Sequence, residues 1–282
     1  MCSSGTSSSR GLSGKIWWSK PDTSATMPGD VQPRRPFQNI STLTLRQPSG
    51  QSTYNGLEVQ DQKRFGTGLS FLTSYTWSRT IDDLRGLDMW FGTSWKQLSD
   101  LNVGHRFSFS GVYEIPYGHG RKFGSASSSL ANGALGGWQL STIAVMRSGY
   151  PMTIGLATNV ANVGGITQVP NRLKDPNLSR SQRTANEFFD ITAFENPAPF
   201  TLGNAGGNPL VGPSFQNVDF SAGKVFRFGE RFSTQFRAEF FNILNHPNQG
   251  TPGTTFGTAA FGRITSTTGD PRTLQFGLKF LY

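Results

Sequence analysis

The sequence predicts an all-β fold, namely an antiparallel up-and-down transmembrane β-barrel segment of about eight strands. Short stretches alternate between apolar and polar residues, and a side-chain period of two indicates strands with one apolar and one polar face. Gly (34) and Phe (23) are abundant among the 282 residues, which favours strands over helices. Long and short connections also follow each other in turn, as they do when all tight turns lie on one side of a membrane.

The last stretch of the chain gives the clearest strand. Its polar or small residues, Gln275, Gly277 and Lys279, alternate with apolar and aromatic ones. An aromatic final residue is typical of the strand that closes a membrane barrel. We therefore interpret the alternating apolar residues as a C-terminal signature for barrel assembly, namely Leu274, Phe276, Leu278, Phe280 and Tyr282.

The N-terminal part of the chain has a different composition. Residues 1–36 are rich in Ser, Pro and Gly and are predicted to be an irregular segment, with a strand remnant around Ile16 as an alternative. Residues 37–282 are predicted to form the barrel segment, with Phe37–Arg46 as a weak first strand. No apolar run typical of a secretory signal occurs before residue 37, so the chain is expected to be a fragment of a longer protein.

Seven further stretches carry the strand pattern. Asp61 and Lys63 interrupt the apolar face of the first of them. Lys224 interrupts the apolar face of another, and we interpret it as a bulge or as a side chain that extends to the membrane boundary. The predicted strands are Tyr54–Phe65, Leu69–Trp77, His105–Ile115, Trp138–Ile154, Asn217–Phe228, Phe232–Phe240 and Arg272–Tyr282.

The connections between these strands support a barrel. Two of them, at 66–68 and 229–230, are tight turns, and Gly supplies the backbone freedom that such turns need. The connection at 116–137 is intermediate in length. Structureless loops as long as the one predicted at 155–213 are uncommon in compact soluble domains. The outer loops of membrane barrels, in contrast, are often long. The predicted long outer loops are 81–103, 155–213 and 245–270.

The polar residues give no pattern of a catalytic or metal site. The net charge is +9, but the basic residues are scattered, which argues against nucleic-acid binding. Cys2 is the only cysteine, and His105, His119 and His246 lie far apart in the sequence. The Gly-rich run at 203–212 lacks the strand, lysine and helix of a phosphate loop. We therefore expect a protein that is not an enzyme and that uses no cofactor and no metal.

Several longer runs carry a resemblance to a known family. Together they resemble the C-terminal end of the Oar-like TonB-dependent outer-membrane receptors, over residues 38–282. The runs are HRFSFSGVYEIPYG (105–118), GGWQLSTIAVMRSGYPMTI (136–154), FFDITAFENPAPFTLGNAGGNPLVGP (188–213), RAEFFNILNHPNQG (237–250), FGRITS (261–266) and PRTLQFGLKFLY (271–282).

This resemblance implies a location, a fold and a set of partners. The location is the bacterial cell outer membrane, and the fold is a 22-stranded barrel with an N-terminal plug. The implied function is uptake of a ligand with energy from an inner-membrane TonB complex. The implied partners are outer-membrane lipid and lipopolysaccharide, the barrel-assembly machinery and, only through a plug that this chain lacks, the TonB complex.

Two other functions fit the residues as well. Eight strands can close into a small outer-membrane barrel with a structural or adhesive role. Alternatively, the chain is a secreted, soluble β-domain that binds carbohydrate through loop aromatics such as Trp90 and Trp95. The sequence names no ligand, and we expect ligand contacts to lie in the outer loops, with Trp90 and Trp95 as candidates.

Overall fold

The computed structural model describes residues 10–18, 23–27, 43–47, 51–64, 68–84, 95–118, 120–125, 128–162, 168–228 and 231–282. Eight long antiparallel strands form one sheet in this part of the chain, and their order in the sheet is their order in the sequence. They are β1 (Arg10–Trp18), β2 (Gln51–Lys63), β3 (Leu69–Leu84), β4 (His105–Glu114), β5 (Trp138–Arg147), β6 (Phe215–Phe228), β7 (Phe232–Phe241) and β8 (Thr273–Leu281). The predicted all-β, up-and-down fold is thus confirmed.

The register of the sheet keeps like side chains on the same face. Directly opposed residues in an antiparallel pair point to the same side. In β7, for example, Ala238 lies between Ala222 of β6 and Phe276 of β8. Phe236 lies between Lys224 and Leu278 in the same way. The apolar alternation predicted for each strand therefore adds up to one mainly apolar face, which Asp61, Lys63 and Lys224 interrupt.

The first strand of the sheet is not the predicted one. Residues 1–36 were predicted to be irregular, with a strand remnant around Ile16 as the alternative, and Phe37–Arg46 to be the first barrel strand; the structure has the strand around Ile16. Instead, Arg10–Trp18 pairs with β2 along its whole length, whereas Leu43–Gln47 pairs with Thr23–Met27 in a separate two-stranded sheet. Pairing requires only backbone groups, and the Gly and Ser residues within β1 hide any apolar period.

The sheet has two free edges within the described residues. β1 pairs only with β2, and β8 pairs only with β7. Sequence reasoning left open whether the last strand would close onto the first or remain an edge. In the structure, it remains an edge.

The connections alternate between the two ends of the strands, as predicted. The turns 64–68 and 229–231 and the segment 115–137 join strands at one end. The segments 85–104, 148–214 and 242–272 join them at the other. The strand Trp95–Leu98 adds to the far end of β3, which runs to Leu84, well beyond the predicted end of that strand.

One short helix, α1 (Ser129–Leu135), lies in the segment 115–137, for which no periodicity was predicted. Lys224 Nζ donates to the carbonyl oxygens of Gly133 and Ala134 at the end of this helix. Trp138 Nε1 also donates to the Ala134 oxygen, at 2.9 Å. The ladder runs through Lys224 without an extra residue, so the predicted bulge is wrong. Instead, helix carbonyls satisfy the ammonium group.

Candidate functional site

The apolar face of the sheet is largely uncovered by the rest of the described chain. Leu278 is 58% exposed, Phe276 65% and Phe280 70%. These side chains share one face of β8 with Leu274, and Tyr282 follows directly at the end of the chain. The structure thus brings the predicted assembly signature together on an accessible apolar surface. Its role in assembly stays a prediction.

The opposite face of the sheet is polar. A groove of about 440 Å³ lies on it, near the tight-turn end of β4 to β7. Two ion pairs line the groove, Arg121 with Glu114 at 3.3 Å and Arg237 with Glu239 at 3.4 Å. The arginines are about half exposed, so each pair is worth little stability. The two faces differ as the lipid-facing and water-facing surfaces of a barrel wall would.

The main hydrophobic core of the described residues lies outside the sheet, in two long loops. These are the β5–β6 loop (148–214) and the β7–β8 loop (242–272). Their buried apolar side chains form one cluster, the loop core, made of Met152, Ile154, Val169, Phe188, Phe189, Ala193, Phe194, Ala205, Leu210 and Phe261. The sequence predicted an irregular loop here, because these residues follow no regular period.

Aromatic contacts join the two loops in this core. The Phe261 ring from the β7–β8 loop lies 5.1 Å from Phe189 and 5.9 Å from Phe194, measured between ring centroids. Both pairs are close to edge-to-face, a favoured geometry for aromatic rings. A short parallel pairing of Gly155–Leu156 with Thr255–Phe256 joins the same loops through the backbone. The two loops therefore pack as one unit.

Asn208 joins this unit to the loop between β3 and β4. Its side-chain Nδ2 donates to Leu98 O at 2.6 Å and to Asp100 Oδ1 at 2.7 Å. Its Oδ1 accepts from Thr153 Oγ1 at 2.8 Å. Asn208 is only 6% exposed and has a positive φ of 55°, a conformation that Asn tolerates better than most residues.

Two further buried asparagines order the β7–β8 loop, and the first of them also joins it to the sheet. Asn248 exchanges two 2.8 Å hydrogen bonds with the backbone of Gln216 in β6. Asn242 Oδ1 accepts from His246 N at 3.0 Å, and its Nδ2 donates to Asp270 O at 3.1 Å. Short polar side chains thus provide the backbone partners that a regular strand would provide.

Asp190 orders the β5–β6 loop beside the loop core. It caps the short 3₁₀ helix Ile191–Ala193 by accepting from Thr192 N, and its Oδ2 lies 2.6 Å from Lys174 Nζ. The hydrogen bond from Lys174, followed by that from Thr192, lowers the pKa of the Asp190 carboxyl below 3.8. The resulting stabilisation is present above the ordinary pKa and is lost as the pH falls through the lowered one.

A cleft of about 790 Å³ opens between the two packed loops. We call it the loop cleft. Its walls include Arg180, Arg183 and Phe188 from the β5–β6 loop, and His246, Ile264 and Thr267 from the β7–β8 loop. Sequence reasoning treated the basic residues as scattered and His246 as one of three histidines that lie far apart in the sequence. It did not name Arg180, because nothing in the sequence indicates that these two loops meet.

Of the aromatic residues predicted as ligand contacts, Trp90 lies outside the described residues. Trp95 begins the short strand Trp95–Leu98, and its side chain is also outside the described set. His105 Nδ1 lies 2.8 Å from the Tyr75 hydroxyl, at an exposed position on the sheet.

Two negative findings apply to the described ranges. No helix within them is long and apolar enough to span a membrane. No group of three or more His, Cys, Asp or Glu residues within them could hold a metal ion.

Comparison with known proteins gave one match. The family model described as an outer membrane beta barrel domain matches residues 5–275. No curated protein and no solved structure matches the chain.

We expect Phe261→Ala to separate the two long loops while the sheet persists. Removing a buried Phe costs about 3–5 kcal/mol, and Phe261 is 9% exposed at the centre of the loop core. Hydrogen exchange in detergent would show lost protection in 148–214 and 242–272 and unchanged protection in β6 and β7. Phe200→Ala is the control, since Phe200 is 77% exposed in the β5–β6 loop, on the other side of the same loop pair. Equal effects of both changes would contradict the loop core.

Asn208→Ala should weaken the contact between the β3–β4 and β5–β6 loops by about 1–3 kcal/mol, because it leaves buried hydrogen-bond partners unpaired. Limited proteolysis in detergent would then cut these loops faster. Asn177→Ala makes the same chemical change at an exposed position of the same loop, where Asn177 bonds only Asp175. The prediction is wrong if the two variants are cut at the same rate.

Proposed function

We propose, from the premise that the chain belongs to the outer membrane beta barrel domain family, that it forms the C-terminal barrel wall of an Oar-like TonB-dependent receptor. The wall lies in the outer membrane. The two packed loops stand at one end of the strands and capture a ligand there. The chain acts by binding and guiding a ligand, and it catalyses no reaction.

The free edges of the eight-stranded sheet are the main observation that supports this proposal. In hydrocarbon, an unpaired strand edge exposes backbone groups that water cannot satisfy, so a membrane sheet must close. Within the described residues, β1 and β8 are not paired to each other. Further strands between β8 and β1 would close the sheet, and a larger receptor barrel supplies them. A barrel of eight strands alone would instead require β8 to reach β1.

The two faces of the sheet fit the partners of such a receptor. The apolar face would contact outer-membrane lipid and lipopolysaccharide. The alternating residues of β8 would be recognised by the barrel-assembly machinery. The polar face and its groove would line the lumen, where a plug linked to the TonB complex would lie.

The native size of the protein tests the proposal. An antibody against the β5–β6 loop would be used to blot outer membranes of the native host. We expect a band far above the 30.8 kDa of this chain, because plug and further strands belong to the same polypeptide. A heat-modifiable outer-membrane band at 30.8 kDa would overturn the receptor and favour a small standalone barrel. A band in the soluble secreted fraction would favour a carbohydrate-binding domain.

The assembly signature has its own test. Replacing both Phe280 and Tyr282 with Asp puts charge on the lipid-facing side of the last strand, which disfavours insertion. We expect less protein in the outer membrane and a smaller heat-modifiable fraction on a gel. The control replaces Gln275 and Lys279, on the polar face of β8, with Asp. Normal heat-modifiable barrel for the Phe280 and Tyr282 variant would remove the signature role.

A further inference from the structure

The loop cleft combines positive charge with an absence of acidic groups. Arg180 and Arg183 line it, and no Asp or Glu is among its described lining residues. Asp190, an acidic group of the same loop, does not line the cleft and is bonded to Lys174 and Thr192. A cleft with two guanidinium groups and no carboxylate favours an anion, since arginine binds carboxylate and phosphate through paired hydrogen bonds.

Arg183 is held in place for such a contact. Its Nε donates to Leu178 O at 3.0 Å, and its guanidinium carbon lies 5.0 Å from the centre of the Phe188 ring. Phe188 is itself buried in the loop core. No described residue bonds the two terminal nitrogens of Arg183. They remain available to a ligand, and the packed side chain loses little further freedom on binding.

Arg180 supplies a second, unengaged charge. It forms no ion pair and no hydrogen bond with the described residues, and it lies on the same cleft wall as Arg183. The other wall includes Thr265, Ser266 and Thr267, three residues that carry hydroxyl groups. None of these hydroxyls bonds another described side chain or backbone group. Hydroxyl donors of this kind bind the remaining oxygens of an oxyanion or the hydroxyls of its carrier.

The size of the cleft limits the ligand. Ligand pockets for small molecules measure about 300–1,000 Å³, and the loop cleft measures about 790 Å³. Both walls come from the two loops that the loop core holds together, because Phe188 belongs to that core and Ile264 packs against it. The cleft therefore has the size of a small-molecule site, and it stands on a packed support.

We infer that the loop cleft binds the phosphate or carboxylate group of a small hydroxylated molecule, with Arg180 and Arg183 as the anion contacts. The inference rests on the proposed function, because it names the ligand class of the proposed receptor. Two sources offer this chemistry at the cell surface. One is a diffusing anionic molecule, and the other is the phosphate groups of lipopolysaccharide.

The test uses the full chain in detergent, freed of lipopolysaccharide, and isothermal titration calorimetry with inorganic phosphate, galacturonate and galactose. We expect phosphate and galacturonate to bind and neutral galactose to bind at least tenfold more weakly. Arg180→Gln should lower the affinity for both anions about tenfold or more, because it removes a charge-assisted hydrogen bond. It breaks no contact within the described chain, so the fold should persist.

Two further variants sharpen the result. Arg172→Gln removes an exposed arginine of the same loop that does not line the cleft, and it should bind both anions like the unchanged protein. Arg183→Lys keeps the charge but loses the paired donors, and it should weaken binding less than Arg180→Gln with Arg183→Gln combined. The proposed site would be overturned if the unchanged protein bound neither anion. It would also be overturned if Arg172→Gln lowered the anion affinity as much as Arg180→Gln does.

The source of the anion and the receptor proposal are tested separately. Competition by purified lipopolysaccharide, but not by its dephosphorylated form, would support a lipid phosphate in the cleft. Binding without such competition would support a diffusing anion. A native band at 30.8 kDa with intact anion binding would remove the receptor and leave the site. A large native receptor without anion binding would remove the site alone.

Discussion

The antiparallel backbone ladder is the constraint on which the rest of the structure depends. Eight strands pair in sequence order, and their register puts the same kind of side chain on the same face from β2 to β8. In hydrocarbon, the backbone N–H and C=O groups of a strand can be satisfied only by hydrogen bonds to neighbouring strands. The apolar side chains can then face lipid and need no cover from other parts of the protein. The hydrogen-bonded ladder therefore continues even where a charged side chain lies on the apolar face. At Lys224 the register continues, and helix α1 supplies carbonyl partners for the ammonium group.

A wall with lipid on one side and water on the other cannot hold an ordinary hydrophobic core. In the sheet, the buried apolar residues are small ones such as Ala144 and Ala238. The large buried residues lie in the long loops, where Ile154, Phe189 and Leu210 are almost completely shielded. The loops thus carry the packing that a soluble domain would place between its sheets. This packing is what gives the loop cleft a fixed shape.

The sequence predicted what depends on a local period and missed what depends on contacts between distant segments. The alternation at Phe276, Leu278 and Phe280 was enough to place β8. The first strand was predicted only as a possible remnant around Ile16, because its Gly and Ser residues show no period, although its backbone pairs with β2 throughout. The loop core was read as irregular, since Phe189 and Phe261 are separated in the sequence by the strand pair β6–β7. Arg180 could not be assigned a role for the same reason.

The loop core, the loop cleft and the barrel wall are connected by continuous contacts. The proposed receptor would therefore have its binding site on a rigid support. Phe188 belongs to the core and also carries the guanidinium of Arg183. The opposite cleft wall continues through the β7–β8 loop to Asn248, which is bonded to the backbone of β6. A ligand in the cleft thus meets Arg183, whose side chain is already held by the Phe188 ring and the Leu178 carbonyl. Less binding free energy is then lost to ordering the protein. Long loops that pack in this way can position a binding site as firmly as a sheet would.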